Sequence, residues 1–190
     1  MNLDELKKNE GLVFILTFLG TFLLFYYFNL FFISLTARAS SPFTLFIKEN
    51  LNYVDWLRTS ILHTGAMLSN LFGVKSHAEG KFLLRADMSR STLRMVYTCI
   101  GLGVMSFWAA FVIANRASLF NKIKWLLGGL VVIWIINCFR LAVLLYALVH
   151  HWAVSKYVDH HTMFNIIAYM FLGLLIYAYI KLNKPKQQSS

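Results

Sequence analysis

Cys99, Arg140 and the adjacent pair His160–His161 are the residues of this chain whose types suit joint chemistry. A thiolate is a nucleophile and an imidazole takes or gives a proton. A guanidinium lowers a neighbouring thiol pKa and holds a developing oxyanion. Together they suit acyl transfer from a peptide to a second nucleophile through a thioester. Taken singly, each has a plainer role. A buried cysteine is usually packing. Arg140 can pair with a backbone carbonyl or with Asp159, and histidines at a membrane surface are often only polar. Arg140, however, interrupts the apolar run "WIINCFRLAVLLYALV" (134–149). An arginine at the centre of a membrane span costs roughly 2.5–3.5 kcal/mol on insertion, and such residues are functional by default.

The elements that must carry these residues are membrane spans. Of the 190 residues, 58% are hydrophobic, too many for a soluble domain of this size. A span needs about 20 apolar residues. Four runs qualify: Leu12–Leu35, Met95–Ala114, Trp125–Val149 and Thr162–Ile180. The third contains only Arg140 as a charge and the others none. The expected fold is all-α: a polytopic membrane helical bundle of about four full spans, with residues 1–190 as a single integral membrane domain. The first run is too long for a signal-peptide core, and Asp4, Glu5 and Glu10 precede it, so it is expected to be a retained span. Cys99 and Cys138 both lie in apolar runs, which argues against a disulfide framework. The net charge of +10 fits topology setting and contact with anionic lipid headgroups. No nucleic-acid-binding motif accompanies it.

The loops order the spans. Residues 115–124 hold Arg116, Lys122 and Lys124 without an acid, and the tail holds Lys181, Lys184 and Lys186. The positive-inside rule puts both in the cytoplasm. Residues 150–161 balance Lys156 against Asp159 and face out. Parity then places 36–94 outside and the N-terminus inside, so both termini are cytoplasmic. Within 36–94, Trp56–Phe72 reads as an amphipathic or re-entrant helix and Gly73–Asp87 as a short hairpin.

Depth brings the reactive residues together. Cys99 lies just past Arg94, near the outer end of its span. Arg140 is about ten residues before His150, hence roughly 15 Å below the outer end, and it can snorkel outward. His160 and His161 open the last span from outside. Cys138 is two residues from Arg140 and so about 200° away around the helix. Asn137 shares Arg140's face and suits holding the guanidinium or a substrate carbonyl. Gly101 and Gly103, beyond Cys99, allow another helix or a substrate to approach closely.

"YTCIG", "NCFR" and "HHTMFN", each placed at or within a span, resemble the exosortase/archaeosortase family of membrane cysteine transpeptidases, over residues 61–180. "HTGAMLSNLFGV" resembles the family's region ahead of the cysteine. The resemblance implies Cys99 as nucleophile, Arg140 as transition-state arginine and His161, or alternatively His160, as acid/base. Many members have Cys-Ser-Gly where this chain has Cys99-Ile100-Gly101, and glycine where Asn165 stands. It further implies membrane-anchored protein substrates bearing a C-terminal sorting signal: a short motif, a transmembrane helix and a basic tail. The expected site is the outer face of the cytoplasmic (inner) membrane, with a lipid or polysaccharide as candidate acceptor. No metal or other cofactor is expected.

Rival readings are a redox protein using both cysteines, a metal or haem site built from His150, His151, His160 and His161, and a non-enzymatic membrane subunit. Adjacent histidines on a helix diverge by about 100°, so each pair offers one ligand per site. The subunit reading leaves Arg140 unexplained.

Overall fold

A computed structural model describes residues 9–80, 83–87, 91–151 and 160–183, with backbone alone for Leu83, Thr98 and residues 160–165. The chain is mostly helical. Helix α1 (Glu10–Ala37) is capped by Asn9, whose side chain accepts from the Leu12 amide. Its 28 residues span about 42 Å at 1.5 Å per residue. It buries only Thr36 and turns Leu16, Leu24, Phe28 and Phe31 outward. A helix apolar all round and exposed is a membrane span. Helices α2 (Pro42–Asn50) and α3 (Tyr53–Leu71) follow, then strands β1 (Ser76–Glu79), β2 (Leu83–Ala86) and β3 (Thr92–Arg94). Three further helices complete the described chain: α4 (Leu102–Ala114), α5 (Leu119–Val149) and α6 (His160–Leu182). Among the described residues, α1 and α5 are long and apolar enough to cross a bilayer.

Helix α3 is the amphipathic element expected over Trp56–Phe72. It starts slightly earlier, where Asn52 accepts from the Asp55 amide. Its buried face runs Val54, Asp55, Arg58, Ile61, Leu62, Gly65, Ala66 and Ser69, the three-to-four spacing of one helical side. That face packs on α5. Trp134 Nε1 donates across the contact to Ser60 Oγ at 3.0 Å.

The expected hairpin within Gly73–Asp87 is β1–β2, antiparallel from Ser76↔Ala86 to Glu79↔Leu83. Strand β3 adds to it in the order β1-β2-β3. This three-stranded sheet corrects the all-α expectation. Short alternating segments in a strongly basic stretch carry little periodic signal, and only pairing reveals β3. The sheet packs on α3 and α5, with Leu84 and Ala86 buried.

Helix α5 is the hub, contacting α3, α4, α6 and β2, while α1 lies on α4. Two apolar cores result. One joins Ile61, Leu62, Leu84, Met95, Ile100, Leu141 and Leu145. The other joins Trp108, Phe111, Val112, Ile133, Leu172 and Tyr179. Polar links cross the first helix: Asn29 Nδ2 donates to Ser106 Oγ at 3.0 Å, and the Tyr53 hydroxyl donates to Asn29 Oδ1 at 2.5 Å. Burial pushes the Tyr53 phenol above its ordinary pKa, which keeps that donor protonated.

The second apolar run departs from expectation. Its helix covers Leu102–Ala114 alone, 13 residues or about 20 Å against a hydrocarbon core of about 30 Å. Met95–Gly101 is extended chain and a single 3-10 turn, Tyr97–Cys99.

Candidate active site

Non-helical backbone at membrane depth persists only where protein satisfies its polar groups or where it lines a cavity. The segment before α4 meets both conditions. Cys99 N donates to Val96 O at 2.9 Å and Ile100 N to Tyr97 O at 3.3 Å, closing the turn. The Ile100 carbonyl, left over by the break, accepts from Asn137 Nδ2 at 3.0 Å. Gly101 then takes φ +84° and starts α4. A Cβ there would lie 2.5 Å from Asn137 Nδ2, so only glycine fits both the backbone and the neighbour. That bond from the Asn137 amide secures the turn that ends in Cys99, while Asn137 also lines the cavity beside Arg140. Cys99 lies on that turn, ahead of the helix, because Gly101 breaks the chain after it.

The turn faces α5. A cavity of about 290 Å³ is lined by Cys99, Asn137 and Arg140, with Thr92, Leu93, Arg94 and Met95 on one wall and Leu141, Leu144 and Leu148 on the other. Cys99 and Arg140 are each partly buried. A second cavity of about 560 Å³ meets the first at Asn137 and Arg140. It lies among α1, α4, α5 and α6, with Phe22, Phe107, Ile133 and Leu172 in its walls. Arg140 thus stands between a chamber holding the thiol and a larger apolar chamber. A guanidinium so placed can donate to an oxygen in the thiol chamber, and the surrounding apolar walls strengthen that donation.

Cys138 faces elsewhere, as the helical phase requires. It is 1% exposed, packs in the core beneath α3, hydrogen-bonds Thr64, and lines neither cavity. His150 caps α5 and its ring lies 4.2 Å from that of Tyr146, centroid to centroid. His151 has φ +50°, and both residues are exposed. The backbone of His160 and His161 opens α6; their side chains, like that of Asn165, lie outside the described residues.

Sequence reasoning passed over Arg58. Its side chain is 1% exposed and ion-paired with Asp55, one helical turn away. Its guanidinium carbon sits 4.6 Å from the centroid of Tyr97, the residue that opens the Cys99 turn. A cation over an aromatic face is attractive, more so when desolvated. The available signal was "DWLR" (55–58): opposite charges three apart on the face of α3 that the apolar residues mark as buried.

Fold and cavity define a helical membrane protein with a thiol and a guanidinium at one internal site. The family model described as transmembrane exosortase matches residues 3–179, nearly the whole chain and more than the 61–180 stretch of resemblance, and the chain belongs to that family. Membership carries the family's broad activity, sorting-related cysteine transpeptidation. No curated protein and no solved structure matches the chain.

Proposed function

We propose that this protein is a sortase-like cysteine transpeptidase or protease that cleaves C-terminal sorting signals of secreted proteins. The observation that carries the reading is the cavity shared by Cys99 and Arg140, two residues from separate elements with complementary chemistry. In the proposed reaction the Cys99 thiolate attacks the scissile carbonyl carbon. The carbonyl electron pair moves to oxygen, and Arg140 stabilises that oxyanion. The oxyanion collapses, the C–N bond breaks, and protonated His161 (alternatively His160) gives its proton to the leaving amine. The remaining thioester is attacked by a second nucleophile, whose proton the imidazole accepts. Water as that nucleophile gives hydrolysis; a lipid or polysaccharide hydroxyl or amine gives transfer. Collapse of that second tetrahedral intermediate breaks the C–S bond, releases the acyl product and restores the Cys99 thiolate beside the protonated imidazole.

The topology proposed with this chemistry has four crossings: α1, the segment from Met95 through α4, α5 and α6. Both termini are cytoplasmic, residues 36–94 are extracytoplasmic, and all belong to one integral domain of the inner membrane. The apolar exposed faces of α1 and α5 and the lysines and arginine within 115–124 support it. The substrate's own transmembrane helix would then present its outer flank to the Cys99 cavity. A redox pairing of the two cysteines finds no such support, since Cys138 packs under α3.

Substitution separates the cysteines. Cys99→Ala should abolish processing of a secreted reporter that bears a sorting signal from the same genome. Cys138→Ala should retain most of it. A hydroxylamine-sensitive adduct should accumulate on Cys99 when the acceptor is scarce. Active Cys99→Ala with inactive Cys138→Ala would reverse the assignment.

A further inference from the structure

Strand β3 does not meet the Cys99 cavity with one side of its pleat. Thr92, Leu93, Arg94 and Met95 all line it. Thr92, Leu93 and Arg94 make up β3, and successive side chains of a strand point to opposite faces, so three consecutive lining residues mean that the strand presents its edge to the cavity. Among the described residues that edge pairs with no other strand, because β3 is last in the order β1-β2-β3. The register fixes which groups lie there. Ala86 N donates to Ser91 O at 2.9 Å, and the pairing continues Arg85↔Thr92, Leu84↔Leu93. Bonded and non-bonded pairs alternate along an antiparallel ladder. Ala86–Ser91 and Leu84–Leu93 are therefore the bonded pairs, and Arg94 directs its N–H and C=O away from β2 toward the cavity.

We propose that this edge is the substrate-binding strand. An extended stretch of the substrate polypeptide, just outside its transmembrane helix, adds to β3 as a fourth strand and delivers its scissile carbonyl to Cys99. Main-chain bonds to Arg94 supply register, and alternate side chains of the peptide turn toward the wall of Leu141, Leu144 and Leu148, the division of labour of strand addition. The edge is continuous with the Cys99 site: four residues separate Arg94 from Cys99, and both line one chamber. β3 is three residues long and carries an arginine, the usual means of keeping an edge from pairing indiscriminately. The inference rests on Cys99 being the nucleophile.

The test compares Arg94→Pro with Arg94→Ala in the full-length protein in its membrane. Proline removes the main-chain donor and is tolerated where a strand's N–H faces away from its neighbour; alanine keeps the donor. Processing kinetics are read on the reporter, and Cys99 alkylation by iodoacetamide is read in a Cys138→Ala background. Arg94→Pro should lower kcat/KM about tenfold or more, mainly through KM. Arg94→Ala should stay within about threefold, and alkylation should be unchanged in both. Normal processing by Arg94→Pro, or an equal loss in Arg94→Ala, overturns the assignment. If proline also alters alkylation, the strand itself is disturbed, and a peptide series decides. Synthetic peptides covering the stretch ahead of the cleaved bond, N-methylated one residue at a time, should lose competition with a period of two. A flat or irregular profile overturns the proposal. Cys99→Ala runs alongside: an active Cys99→Ala removes the nucleophile, whereas an inactive one with active Arg94→Pro removes only the strand.

Discussion

Gly101→Ala tests how the thiol is held. Gly101 has φ +84°, and an L-residue with a Cβ costs about 1–2 kcal/mol in that region. The new Cβ would lie 2.5 Å from Asn137 Nδ2, so Asn137 must move and release the Ile100 carbonyl it holds at 3.0 Å. Side-chain hydrogen bonds between membrane helices average about 0.6 kcal/mol and reach about 1.7. The substitution should therefore cost about 1.6–3.7 kcal/mol. Asn137→Ala alone should cost only the bond, about 0.6–1.7 kcal/mol. In that background Gly101→Ala should cost only the backbone term, about 1–2 kcal/mol. The two changes are thus sub-additive by the value of one hydrogen bond. Reversible unfolding in detergent micelles measures all three variants. Turnover should fall further than stability, since misplacing a reacting atom by about 1 Å can cost about a hundredfold. A Gly101→Ala protein within about 0.5 kcal/mol of the parent, or strict additivity with Asn137→Ala, would refute this account of the turn.

Arg140→Lys should lose about a hundredfold or more in single-turnover rate with little change in substrate KM, because an ammonium lacks the planar fork; near-normal turnover would reduce Arg140 to a topological charge. Of the two histidines, His161→Gln should abolish processing and His160→Gln should spare most of it, the two rings diverging by about 100° on one helix; the reverse outcome moves the role to His160. Arg58→Met should cost about 3–5 kcal/mol by breaking the buried Arg58–Asp55 pair, and Arg58→Met with Asp55→Asn should recover part of it in the same unfolding assay. Gly129→Ala should destabilise through the far core, where a Cβ would meet the fully buried Trp108 indole at 2.0 Å. Its Cys99 alkylation rate should match the parent in folded protein, since neither Gly129 nor Trp108 lines the thiol cavity.

Much of the architecture was legible because a bilayer constrains sequence so heavily. The long apolar runs marked α1 to within two residues at each end and the C-terminal end of α5, whose helix begins six residues earlier at Leu119, and the three-to-four spacing marked the buried face of α3. The phase of Cys138 against Arg140 follows from helical geometry alone, and the two residues do face different surroundings. The shortening of α4 was not legible. Met95–Gly101 is as apolar as the helix after it, and hydropathy cannot distinguish a helix from irregular chain whose carbonyl is capped from another element. Arg58 was hidden for a related reason: a charge in a basic segment reads as solvated until the packing of α3 on α5 and on Tyr97 encloses it.

Composition and order by themselves determined a helical membrane protein with a thiol, an asparagine–arginine pair and histidines in a sequence that resembles a known transpeptidase family. Local chemistry and span length travel with the residues, whatever they later touch. The tertiary structure decided that Asn137 serves the Ile100 carbonyl, that Cys99 ends a turn ahead of its helix, and that β3 offers its edge to the same chamber. These are properties of pairs distant in the chain, fixed by which backbone groups are left without partners when the helix is broken, and no single segment contains that information.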